Sequence, residues 1–343
     1  MDKPEPERKG NGIISIFENE IKAVQNEIDK LDLGGYGNVA VISEPYCGIE
    51  HIFNKILGDN SQKINNIKLF SPVKDKDFFS NFYSGQKAVL MHDCQYLYTR
   101  RPGGFEILDL FMNLVSSEER LFITGWNKFA WNYIKEICDI EDLFEVKITV
   151  PELDSKSIMN LIMADANEKI SFVDDRKKED KKFICTEKCL IKLPLSQNKK
   201  SIRIPKIDLS ALIREKSSRT MEEIEAEAFS KITNLAGGKY DVAHILWKKT
   251  LKDNEIRLSR IPQIPAADIA DFDESYILSI ILSMGSVSYD DLLLIAGEDI
   301  NLKQKLQSLK FSGLIEIENS SCRINPEAVN SAIYELKKRR MVW

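Results

Sequence analysis

Apolar residues Ile14, Phe17, Ile21, Val24, Ile28 and Leu31 recur three and four positions apart, which sets them on one face of a helix ending before Gly34-Gly35. The pattern runs for fewer than three heptads, too short for a self-standing coiled coil, so this face is expected to dock on the domain that follows rather than on a second copy. From Asn38 onward the period shortens. Residues 39–42, 67–70, 88–91, 121–123 and 146–150 are short apolar runs, and the segments 49–57, 104–115 and 128–138 between them carry helical spacing. Strands alternating with helices predict an α/β domain with a largely parallel sheet.

Pro151 closes the last of these strands, and a helical pattern follows over 155–166. Between Asp174 and Lys206 there are eleven Lys/Arg against five Asp/Glu, a local charge of +6 that reads as a solvated surface insertion, with a phosphate-binding face as the alternative. Its middle, 183–195, has enough β-formers for a hairpin. A helical block over 220–251 is interrupted at Gly237-Gly238, and the two prolines of 261–265 forbid a continuous helix and mark a linker. Beyond it, helices are expected over 274–284, 288–296 and 300–312, then strands over 314–318 and 321–325 around Asn319-Ser320. Three helices followed by a hairpin is the winged-helix order. A last helix, 326–340, starts with Pro326 and ends in Lys337-Lys338-Arg339-Arg340, cations that suit the negative end of a helix dipole.

The chain has 343 residues, 43% hydrophobic and 29% charged, with 48 Lys+Arg against 53 Asp+Glu and a net charge of −5. This composition excludes the disordered and fibrous classes, and the length predicts two or three domains. No apolar run is long enough to span a bilayer and the N-terminal residues are polar, so a cytoplasmic protein is expected. The six cysteines are expected to be reduced. Only Cys185 and Cys189 are close in sequence, and with His51, His92 and His244 as the only histidines, no ligand set for a structural metal is expected.

The layout of a phosphate-binding loop is present in strand 39–42, loop 43–48 and the helix that starts at Ile49. Such a loop turns glycine N–H groups onto phosphate, neutralises the outer phosphates with lysine and holds magnesium with a hydroxyl. Laid on G-x-x-x-x-G-K-S/T, the first glycine is Ser43, the lysine is Ile49 and the hydroxyl residue is Glu50; only Gly48 stands. Glu50 satisfies the helix dipole itself and repels a γ-phosphate, so tight triphosphate binding is not expected, while Gly48 and the helix N-terminus retain the means for weak binding.

Residues 38–260 resemble an AAA+-type P-loop ATPase module of the archaeal and origin-recognition kind, related also to signal-transduction ATPases, and 274–343 resembles the winged-helix domain that often follows it. The resemblance rests on the loop and on Lys87-Ala-Val-Leu-Met-His-Asp-Cys-Gln-Tyr-Leu97, where such ATPases have an apolar strand ending in Asp-Glu. It rests further on Leu121-Phe-Ile-Thr-Gly-Trp-Asn127 at the next strand and on a helical lid with Leu235-Ala-Gly-Gly238. It implies Asp93 as the surviving acid, Thr124 or Asn127 as the polar residue that orients an attacking water, and ATP with magnesium as the cofactor. Where the family has a sensor arginine after the glycine pair, this chain has Lys239, Tyr240 and Asp241.

Four segments are therefore expected: a polar tail with an amphipathic helix (1–37), the P-loop NTPase-like core (38–151), a lid region with the basic insertion (152–260) and the winged helix (274–343). The aromatic segment 125–133 reads as packing, with base stacking as the alternative, and His92 reads as a hydrogen-bonded structural histidine. Arg100-Arg101 forms a basic turn from which family members can present an arginine to a neighbour, so an oligomer is one expectation. On 300–312, Lys303, Lys305 and Lys310 supply a basic face for nucleic acid, yet 274–343 carries eight basic and nine acidic residues, so DNA and protein stand as alternative partners. The resulting expectation is a regulatory or scaffolding protein with weak or absent ATP binding. Its rivals are a working ATP switch and a winged-helix DNA-binding regulator.

Overall fold

The computed structural model describes residues 16–81, 85–165, 170–176, 184–192, 199–207, 219–263, 269–297 and 299–343. The chain divides into two compact units. The larger comprises Met1–Glu168, Phe229–Lys249 and Pro262–Trp343; the smaller comprises Lys169–Ala228 and Thr250–Ile261.

The larger unit is built on five parallel strands, β1 (Val39–Ser43), β2 (Ile64–Lys68), β3 (Ala88–His92), β4 (Leu121–Asn127) and β5 (Val146–Thr149), in the order β2-β3-β4-β1-β5. Every residue of β1, β3 and β4 is buried, as a parallel sheet covered on both faces requires. The covering helices are α1 (Glu18–Leu31), α2 (Ile49–Asn60), α3 (Glu106–Ser117), α4 (Lys128–Lys135) and α5 (Ser155–Asp165). After β1 the chain runs to β2 at one edge, and after β4 it crosses β1 to β5 at the other. This reversal beside β1 opens a crevice at the carboxyl ends of the strands, where ligands of such sheets bind. The fold class is α/β with a P-loop NTPase-like parallel sheet.

Helix α1 docks on the core, with Phe17, Val24, Ile28 and Leu31 buried; Ile14 lies outside the described residues. Buried Glu27 ties the exit of this helix, accepting from the Gly37 amide at 3.0 Å. Strand β2 sits three residues earlier than the apolar run 67–70 predicts. It is an edge strand in which only Ile64 is buried, while Phe70 is 77% exposed, so the apolar run does not mark the ladder.

Helices α6 (Met221–Ala236) and α7 (Tyr240–Thr250) are separated by Gly237 and Gly238, both with positive φ, where the sequence breaks the helical pattern. In the C-terminal part come α8 (Phe272–Met284), α9 (Tyr289–Ala296), α10 (Leu302–Phe311) and α11 (Val329–Lys338). A three-stranded antiparallel sheet belongs with them, β10 (Ser286–Ser288), β11 (Ile315–Glu318) and β12 (Ser321–Ile324), in the order β10-β12-β11. Asn319 and Ser320 both take positive φ, as a two-residue hairpin turn demands. Helix α8 is buried almost all round and forms the centre of this part.

In the smaller unit, β6 (Ser171–Val173) pairs in parallel with β9 (Glu255–Arg257), and β7 (Ile184–Lys192) pairs with β8 (Lys199–Ile207) over nine residues. The hairpin expected within 183–195 is thus one arm only, with its partner in the charged segment that follows. Residues 264 and 265 of the expected linker lie outside the described ones, as do the side chains of Cys185 and Cys189. Cys47, Cys94, Cys138 and Cys322 are free thiols. No described helix is long and apolar enough to cross a membrane.

Candidate functional site

The loop after β1 leads from Ser43 through Gly48 into α2. Gly48 takes φ +88°, a left-handed conformation, and a Cβ there would stand 3.4 Å from the rings of Phe17 and His51. Ser43 Oγ donates to the Glu44 carbonyl at 2.8 Å, so the hydroxyl serves the loop itself. Ile49, in place of the lysine, packs its Cδ1 against Gly125. Glu50, in place of the hydroxyl residue, accepts from Lys68 Nζ at 2.9 Å and stands 3.4 Å from His92 Nδ1. The bond from His92 and the pairing with Lys68 outweigh burial and hold the Glu50 carboxyl at about 2.

The centre of the loop is Glu44. It is buried, 2.8 Å from Lys128 Nζ and 3.2 Å from Lys239 Nζ. Burial works against its charge, yet the bond from Lys128 and the charge of Lys239 win and keep the carboxyl below the usual range. Lys239 is itself buried, and its ammonium also reaches Asn330 Oδ1 at 2.9 Å. The cation that the loop lacks is therefore delivered by the residue after the glycine pair, and it is spent on a carboxylate of the chain.

At the end of β3, Asp93 adopts φ 56° and accepts from Gln95 Nε2 at 3.0 Å. Burial raises its carboxyl, with Glu50 adding to the rise and the Gln95 bond opposing it. Gln95 Oε1 accepts from the Asn127 amide at 3.2 Å. Asn127 caps α4 through the Phe129 amide at 2.9 Å and donates Nδ2 to the Leu282 carbonyl at 2.7 Å. Thr124, the other candidate at this position, is buried in the sheet, donating to the Val39 carbonyl at 3.1 Å and accepting from Trp126 Nε1 at 2.8 Å. Only Asn127 of the two faces the crevice.

These residues meet in a cavity of about 300 Å³, roofed by the end of α8 and by Ile324 of β12. Ser43, Gly48, Ile49, Glu50, Asp93 and Asn127 all line it, so the structure brings together every residue expected at the core site. It adds Glu44, His92, Gln95 and Asp241. Four of the lining residues are carboxylates and none is Lys or Arg. Tyr46 Oη closes the loop onto the C-terminal part by donating to the Ile324 carbonyl at 2.9 Å. Among the described residues no group of His, Cys, Asp and Glu is placed to hold a metal ion.

Sequence reasoning missed Glu44 and the cavity roof. An acid at the second loop position is visible in the sequence; its partner Lys239 and the roof come from distant segments. The aromatic segment is packing: Trp126, Phe129 and Trp131 are buried, and Trp126 and Trp131 meet edge to face at 5.5 Å. Arg100 stacks on Tyr133 at 4.2 Å. Of the C-terminal basic residues, Lys303 and Lys310 are exposed, whereas Lys305 is ion-paired with Asp271, the N-cap of α8.

No family model matches the chain, and no curated protein matches it. Among solved structures, a variant of RuvB from Thermotoga maritima is similar at 12% identity and a TM-score of 0.43, over 93% of this chain and 95% of that one. The ORC2 protein of Aeropyrum pernix, solved as ADPNP-ADP complexes, is similar at 11% identity and a TM-score of 0.41, over 95% of each chain. Cdc6p from Pyrobaculum aerophilum is similar at 10% identity and a TM-score of 0.41, over 99% of this chain and 97% of that one.

Proposed function

We propose that this chain is a regulatory or scaffolding protein on a P-loop frame in which internal ion pairs have replaced nucleotide chemistry. The observation that carries this is the cavity wall: four carboxylates, no Lys or Arg, and the cations beside it already held, Lys68 by Glu50 and Lys128 and Lys239 by Glu44. A triphosphate brings about four negative charges, and in a partly buried site each unpaired like-charge contact opposes binding. ATP with magnesium lacks the lysine, the hydroxyl and the second acid that would hold it. Asp93 and Asn127 remain at the positions of a catalytic acid and a sensor, but both are engaged in a hydrogen-bonded chain that ends on the roof helix.

The C-terminal part has the element order of a winged helix, with α10 as its recognition helix. Lys305 is withdrawn into an ion pair, and the segment carries no net positive charge, which favours a protein partner over DNA. The test of the nucleotide part is the thermal shift with ATP-Mg²⁺ and ADP-Mg²⁺. A ligand at about 100 times its Kd stabilises by about 2.7 kcal/mol, so no shift at millimolar nucleotide is expected, and a clear one would establish the ATP switch instead. Gain of binding in an Ile49→Lys, Glu50→Thr double variant would locate the loss in the loop.

A further inference from the structure

In the antiparallel ribbon β7-β8 the register sets Lys188 opposite Arg203 and Lys192 opposite Lys199. Directly opposite residues share a face, and alternate positions along a strand return to it, so all four cations fall on one face, with Leu190 and Ser201 between the two pairs. No acid falls on that face; Glu187, the only acid of the two strands, falls on the other. Like charges placed directly opposite one another weaken a strand pair, so two such pairs on one face are a feature that folding alone disfavours. Two further acids of the basic segment are engaged at its start: Asp174 pairs with Arg176 at 2.7 Å and Arg219 at 3.1 Å, and Asp175 accepts from the Ser259 amide at 3.1 Å.

Charge outside the ribbon sharpens the contrast. The segment 174–206 carries +6 in a chain of −5, which leaves −11 on the remainder, so a polyanion is repelled by most of the chain and drawn to this segment. Four residues of strand span about 13 Å, close to the roughly 12 Å width of the B-DNA major groove, which admits a two-stranded ribbon. The two cation pairs are thus spaced like the two phosphate backbones that border one groove. We propose that the face of β7-β8 carrying Lys188, Lys192, Lys199 and Arg203 binds duplex DNA by neutralising phosphates on both sides of a major groove. Contacts to phosphate carry no base information, so the binding is independent of sequence. The ribbon belongs to the smaller unit and the crevice that carries the proposed function to the larger, so the two readings stand or fall separately.

The test is fluorescence anisotropy of the full chain with a labelled duplex of mixed sequence over a range of salt. Each phosphate neutralised contributes about −0.9 to the slope of log K against log salt, so four cations give about −3.6, and affinity falls about a hundredfold between about 50 and 200 mM salt. Lys192→Gln with Lys199→Gln should shrink the slope by about 1.8, while Lys200→Gln with Lys206→Gln, the same charge change on the other face, should leave it unchanged. Because the first double variant removes like charges opposed across the strands, its melting temperature should hold or rise, which separates a lost contact from a lost fold. Lys188→Gln alone, expected to remove about 0.9 of slope, keeps the test intact should that double variant misfold. Equal losses in the two double variants, a slope that responds to Lys303→Ala and not to the ribbon, or no binding at about 50 mM salt, where the phosphate contribution is strong, would overturn the inference. Binding to phosphatidylserine vesicles with the same dependence on the variants, and none to the duplex, would assign the face to a lipid surface and overturn it as well.

Discussion

Lys239 Nζ lies 3.2 Å from Glu44 Oε2, and both side chains are buried. The two left-handed glycines before Lys239 make this meeting: they stop α6 and restart the chain so tightly that a Cβ on Gly238 would come within 2.9 Å of the Leu153 carbonyl. A residue from the turn between α6 and α7 thereby neutralises a carboxylate of the loop after β1 from inside the protein.

Removing one member of such a pair leaves the other uncompensated, at a cost of about 3 to 5 kcal/mol for a buried pair. The two halves are unequal here. Glu44 keeps Lys128 when Lys239 is lost, but among the described residues Lys239 keeps only Asn330 and, at 3.7 Å, the exposed Glu152 when Glu44 is lost. Glu44→Gln is therefore expected to destabilise more than Lys239→Met, and the double variant less than the sum. Urea unfolding of the four proteins checks this; additive losses would show that the pair is not coupled.

Glu50 gives the protein an acid-sensitive contact. Its carboxyl is held at about 2 against a usual 4.5, chiefly by the His92 bond and then Lys68 against burial. A carboxylate depressed on folding contributes stability that is fully present above about 4.5 and lost as pH falls toward about 2. The side chain is 43% exposed, so solvent screening reduces the contribution to about 1 kcal/mol. Unfolding midpoints between about pH 3 and 6 should fall more steeply for the wild type than for Glu50→Gln. Parallel profiles would remove Glu50 from the acid response.

How far the sequence carried the fold follows from burial. Strands β1, β3 and β4 are legible because both faces are covered and their runs 39–42, 88–91 and 121–123 are apolar, whereas edge strand β2 buries only Ile64 and the neighbouring run 67–70 misplaces it. The arm Lys199–Ile207, with four Lys or Arg among its nine residues, shows no apolar run, and it pairs with β7 over all nine. At the site, the loop residues and Asp93 are local signals on one strand-loop-helix path. Glu44 with Lys239, and Asn127 with Leu282, join segments far apart in the chain, and no spacing rule connects them.

Gly125 and Gly48 separate two reasons for glycine. Gly125 lies in a strand with ordinary backbone, but a Cβ there would stand 2.6 Å from the Phe53 ring, so Gly125→Ala overpacks the cavity floor at about 1 to 3 kcal/mol. Gly48→Ala meets only contacts of 3.4 Å and pays for its φ of +88°, about 1 to 2 kcal/mol. Phe53→Leu should therefore rescue Gly125→Ala and leave Gly48→Ala unchanged, as thermal melts of the paired variants would show. Equal rescue of both would mean that Phe53 acts through the loop rather than through contact.

Lys303 and Lys305 sit two residues apart on α10, and the fold gives them different tasks. Leu302, Leu306 and Leu309 face inward, which leaves Lys303 exposed, while Lys305 reaches back to Asp271 at the start of α8. Asp271 also accepts from the Glu274 amide at 3.0 Å, so Lys305 steadies a helix cap. Any DNA contact through this helix must then use Lys303 and Lys310. Each phosphate neutralised contributes a slope of about −0.9 to log K against log salt, so Lys303→Ala should reduce the magnitude of the slope by about one unit and Lys305→Ala should not. Lys305→Ala should instead lower the melting temperature. If duplex DNA binds and the two variants lose affinity and salt dependence equally, both lysines face phosphate and the Asp271 pair opens on binding; if no variant changes a binding already weak, the helix serves a protein partner.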